Sequence, residues 1–288
     1  MSSKKNLVLF LIFLIGIGIT VSKIIPGSQN SLNLKGSEIS TSLSHTQSSL
    51  GINLSGLGSA STQFPFIDYF KNSHEWFTTC RNKKTSDCRG VWNTKESEQL
   101  DLDEQGWVKS LPKPEDPPRY TEVATTLFKD IPQDTPISGE YLVLYDGEGT
   151  LKYGLAAKKN PELSQPGRDV ITIDLSQSNG ALIVISETDP NQTGNYIRNI
   201  RVIKSEHQAR YQNGEQFNPI FLEKIKKFRT LRFMDWMRTN HSPQKEWKDR
   251  PTPLTATYRR SGVPLEVMIA LSNQVQAEPW FNIPHQAT

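Results

Sequence analysis

Cysteine is nearly absent: the 288 residues hold two, Cys80 and Cys88. Neither lies in a Cys-x-x-Cys spacing or beside paired histidines, so no metal site is expected, and no cofactor motif stands out. A tract of one charge sign is also missing. Lysine and arginine total 33 against 30 acidic residues, a formal charge of +3, and the signs are interspersed. No basic stripe is left for a nucleic-acid partner. Apolar residues make up only 35% of the chain. Much of the shortfall lies in residues 28–49, a Ser, Asn, Gly and Thr segment that buries too little apolar surface to offset its ordering entropy. It is expected to be a disordered polar linker.

Long hydrophobic runs are absent but for one. Lys4 and Lys5 precede an apolar stretch over 7–21, the order of a secretion signal. The stretch falls short of the roughly 20 residues of a comfortable membrane span. No good small-x-small cleavage site follows, so residues 1–27 are expected to be either a signal peptide or an N-terminal membrane anchor. Either way the remainder is expected to be exported, to the cell envelope or outside the cell. No cysteine closes the run, which argues against a lipid anchor. In an exported chain the Cys80 and Cys88 pair is expected to form a disulfide around loop 81–87, worth about 2–3 kcal/mol by loop closure.

The rest is long enough for one large domain or two ordinary ones. Residues 50–55 suggest a short strand. Over 64–77, Phe66, Tyr69, Phe70 and Phe77 fall at helical spacing and predict a helix with an aromatic face. Between 92 and 203 short apolar runs alternate with turn residues, predicting strands at 139–145, 150–154, 169–174, 181–185 and 196–203 in an antiparallel β-sandwich. Asp146-Gly147 is the best hairpin signal. Trp107 either stacks on a glycan or plugs a seam between domains. From 217 the pattern becomes a helix over 219–228, a strand over 230–236, a helix over 263–275 and a strand over 280–283. That order suggests a parallel α/β body, in which polar groups at strand C-termini form the site.

Several stretches carry a resemblance: Gly51-Ile52-Asn53-Leu54, Leu102-Asp103-Glu104-Gln105-Gly106-Trp107, Tyr141 to Gly149, Thr230-Leu231-Arg232-Phe233-Met234-Asp235-Trp236, and Pro279-Trp280-Phe281-Asn282-Ile283-Pro284-His285. Together they resemble the N-terminal half of a group of large exported bacterial proteins. Those proteins are similar to retaining (β/α)8-barrel glycoside hydrolases and are often labelled carbohydrate- or cellulose-binding. The resemblance implies an α+β multidomain chain: a partial (β/α)8 (TIM) barrel of three strands over 50–91 and 206–288, with the sandwich inserted over 92–205. It also implies that both catalytic glutamates lie past Thr288, so no catalytic residue is assigned here and the sequence is expected to be a fragment.

The residues that align with barrel rim positions are Arg232, Asp235, Trp236, Asn282 and His285: donors for sugar hydroxyls, a stacking ring and a carboxylate. Trp107 is a further candidate contact. The same residues could equally hold strand ends together. Three functions follow as expectations. The first is a truncated glycosidase relative, acting on or descended from an enzyme acting on polysaccharide and inactive alone. The second is a non-catalytic protein that binds polysaccharide or oligosaccharide at a surface. The third is a structural envelope protein completed by a separately encoded C-terminal barrel half.

Overall fold

The computed structural model describes residues 48–80, 91–112, 119–240 and 242–288. The strands, in order, are β1 (Ser48–Asn53), β2 (Phe77–Thr79), β3 (Glu122–Leu127), β4 (Gly139–Asp146), β5 (Gly149–Leu155), β6 (Ala157–Gln165), β7 (Arg168–Ile173), β8 (Ala181–Thr188), β9 (Arg198–Lys204), β10 (Phe228–Arg232) and β11 (Glu278–Trp280). The α-helices are α1 (Gln208–Gln212), α2 (Pro219–Ile225), α3 (Tyr258–Ser261) and α4 (Leu265–Val275). None of the described helices is long and apolar enough to cross a membrane. The apolar N-terminal stretch, the linker through residue 47 and Cys88 lie outside the described residues, while Ser48 and Ser49, expected to belong to the disordered linker, instead open β1. Cys80 is disulfide-bonded.

Two antiparallel sheets, ordered β2-β3-β8-β5 and β6-β7-β4-β9, close on a shared core. Val123, Leu151, Ile183 and Ile185 from the first meet Tyr141, Val143, Ile171 and Val202 from the second. β8 is central because its Leu-Ile-Val-Ile run is buried on both faces: Ile183 and Ile185 enter the shared core, while Leu182 and Val184 pack with Phe77 and Ala124 on the other side. β6 is the opposite case. Its Lys158, Lys159 and Pro161 suit an edge strand, where charge and a missing N–H discourage further pairing.

The Asp146-Gly147 turn does not make a hairpin, since β4 and β5 belong to different sheets. It carries the chain over the sandwich end, with Glu148 donating its N–H to the Asn195 carbonyl at 2.7 Å. Gly147 is required there: its φ is +90° and a Cβ would come 2.0 Å from the Tyr196 carbonyl oxygen.

A third sheet, ordered β1-β10-β11, is parallel. Its Leu231 packs with Leu54 and Phe233 against α2 and α4, through Phe221, Ile225, Met268 and Leu271. Asn218 starts α2 by accepting the Ile220 N–H at 2.9 Å. α4 presents Val267, Met268, Leu271 and Val275, a single apolar face at helical spacing.

The partial (β/α)8 barrel expected from the sequence is not what the chain forms. Barrel closure needs parallel strands alternating with covering helices, whereas here the described strands are mostly antiparallel, the parallel ladder is an open set of three, and only α4 reaches 11 residues.

The helix predicted over 64–77 is also replaced, by a short 3-10 turn at Tyr69–Asn72 followed by β2. Its aromatics serve different cores: Phe66 joins Trp236 and Tyr258, Tyr69 and Phe70 join the sandwich, and Phe77 packs on the sandwich's far face. One helix face cannot point three ways. Asp68 adds a local cause, because its carboxylate takes the Phe70 N–H at 3.0 Å, competing with helical bonding.

Candidate functional site

The parallel ladder aligns Asn53 with Arg232 and Arg232 with Trp280. Side chains alternate along a strand, so this row faces away from the side that buries Leu231 completely. The row is pinned at its end by two backbone bonds of 3.0 Å, from Leu54 N–H to the Arg232 carbonyl and from Phe233 N–H to the Trp280 carbonyl.

Within the row the side chains form a polar relay. Arg232 donates from one terminal nitrogen to Asn53 Oδ1 at 3.4 Å, and Asn53 Nδ2 donates to Asp235 Oδ2 at 3.1 Å. The other terminal nitrogen meets Met234 Sδ at 3.1 Å. The guanidinium carbon stands 5.1 Å from the Trp280 ring centroid, a cation–π contact. Trp280 remains 54% exposed, so its ring keeps surface for a ligand. Arg232 Nε is enclosed and has no acceptor.

The predicted residues divide. Arg232 and Asp235 are brought together, through Asn53. Trp236 is fully buried: its ring packs on Phe66, Phe221 and Phe233, and its Nε1–H donates to the Ser55 carbonyl at 3.1 Å. It therefore supports the loops after β1 and β10 and offers no face to a sugar. Trp107 is 1% exposed and stacked on Phe70 at 5.5 Å. Asp103 positions it by accepting the Trp107 and Gln105 N–H groups, each at 2.9 Å.

Asn282 donates its backbone N–H to Met237 Sδ at 3.3 Å, and its Oδ1 is enclosed without a partner. His285 is exposed, 3.2 Å from the Gln286 amide. The two residues missed as site members, Asn53 and Trp280, sat inside stretches already marked as strands. Strand register was the signal that would have found them.

The row offers donors, one carboxylate and an exposed aromatic ring, which suits a neutral polyhydroxylated ligand. Retaining glycoside hydrolysis needs two carboxyl groups about 5 Å apart, and the relay contains only Asp235, engaged with Asn53. Among the described residues no three His, Cys, Asp or Glu side chains are grouped to hold a metal ion. No family model matches the chain, and neither does a curated protein or a solved structure.

Proposed function

We propose that this is an exported, non-catalytic carbohydrate-binding protein whose parallel ladder presents Asn53, Arg232, Asp235 and Trp280 to polysaccharide. The observation that carries the proposal is the guanidinium held between the Asn53 amide and a Trp280 ring that is still half open. A sugar ring stacks its C–H face on the indole while its hydroxyls take the Arg232 and Asn53 donors and the Asp235 acceptor. Because the polar groups already hold one another, little side-chain entropy is lost on binding.

Export is proposed from the charged and then apolar N-terminus. A disulfide at Cys80 suits an oxidising compartment. The test is retention of the purified protein on a panel of insoluble polysaccharides. Retention by at least one glycan, lost in both Trp280→Ala and Arg232→Gln, supports the proposal. Retention by none, or retention indifferent to both changes, defeats it.

A further inference from the structure

Two Asn-Gly pairs occur in the chain, Asn179-Gly180 and Asn213-Gly214. This dipeptide is prone to modify itself, because glycine carries no side chain to obstruct the asparagine and its backbone turns freely. The glycine nitrogen attacks the asparagine Cγ, forming a ring, and the side-chain amide nitrogen leaves as ammonia, taking the displaced proton with it. Water then opens the succinimide ring to aspartate or isoaspartate. No oxidant, metal or enzyme is needed, only freedom for the side chain and the glycine nitrogen to meet.

The two pairs sit in opposite surroundings. Asn179 is held at both ends of its amide: Oδ1 accepts the Asp130 N–H at 2.6 Å, and Nδ2 donates to Asp130 Oδ1. Gly180 is buried just before β8, where a Cβ would come 2.9 Å from the Leu127 carbonyl oxygen. Its own carbonyl accepts the Ala156 N–H at 3.0 Å. Closing the ring there would mean breaking several of these contacts together.

Asn213 is exposed at the end of α1, and its side chain makes no hydrogen bond among the described residues. A Cβ on Gly214 would meet nothing within 4 Å. The Gly214 N–H is tied only to the Tyr211 carbonyl, at 3.0 Å, at the end of a helix of five residues. Helix ends fray, and exposed turns open at little cost in free energy. Each opening releases the nitrogen that the reaction needs.

We infer that Asn213 is a site of spontaneous deamidation in the folded protein, and that Asn179 is protected from it. The product adds a second acid to the turn that holds the Arg210–Glu215 ion pair, which closes at 2.8 Å.

The test holds the full chain in mildly alkaline buffer, with and without urea, and follows conversion of amide to acid at each pair by peptide mass spectrometry. In the folded protein Asn213 should convert at least about tenfold faster than Asn179, and in urea the two rates should become comparable. Similar rates in the folded protein would overturn the inference. So would an Asn213 that converts only in urea, or a rate gap that persists there, since the difference would then belong to the sequence and not to the fold.

Discussion

Trp280, the last residue of β11, and Trp236, four residues past the end of β10, show how one residue type takes opposite roles. Trp236 is enclosed by aromatic rings and hydrogen-bonded to Ser55, so its truncation is a stability lesion. Trp236→Ala should cost about 3–5 kcal/mol, read from the urea unfolding midpoint. Trp280→Ala removes a ring that is mostly exposed and should change stability by no more than about 1 kcal/mol, while abolishing retention on the glycan. The sequence marked Trp236 and not Trp280 because Trp236 closes the strand expected over 230–236 whereas Trp280 opens the one expected over 280–283. Burial is decided by which neighbours converge, and Phe66 and Phe221 come from distant stretches. That Arg232 and Asp235 lie outside the core was legible, because a charged group at or just past the end of an apolar strand has no place in the core behind it.

Among elements, those with a strong pattern were readable: β4, β5, β7, β8 and β9 follow apolar runs bounded by turn residues, and α4 follows a single apolar face at helical spacing. β3 and β6 were not. β3 is Glu-Val-Ala-Thr-Thr-Leu, buried along its whole length, and its short polar residues hide that fact. β6 is mostly exposed and charged because it is an edge, so hydrophobic pattern has little to report. The turn between β4 and β5 was located correctly and assigned the wrong partner, since Asp-Gly specifies backbone conformation and not which sheet receives the next strand. Gly147→Ala should destabilise the sandwich by about 1–3 kcal/mol, through its positive φ and the Tyr196 carbonyl, measurable as a lowered thermal midpoint.

Over the full chain, local alternation of helix and strand after residue 217 suggested a parallel α/β body and the resemblance implied a partial barrel, whereas the chain joins a short parallel ladder to two antiparallel sheets. Local pattern specifies elements, whereas closure depends on pairings between segments far apart in the chain.

One titrating group links fold and solution behaviour. Burial holds the His207 imidazole below its ordinary value of 6.5, outweighing the Glu206 carboxylate 3.8 Å away. In the window from about 6.5 down to the depressed folded value, the unfolded chain binds more protons than the folded one, so stability falls as pH falls. The urea midpoint should therefore drop between about pH 7 and about pH 5, and His207→Gln should shallow that drop. An equal drop in both proteins would remove His207 from the account.

The Asn53, Arg232 and Trp280 row is proposed as the glycan-binding surface. Calorimetric titration of wild type and Trp280→Ala with oligosaccharides of the retained polysaccharide tests it most directly. Wild type should bind saturably with release of heat, and Trp280→Ala should lose at least about tenfold in affinity, with its unfolding midpoint essentially unchanged. Equal binding by the two proteins, or none by wild type, would contradict it.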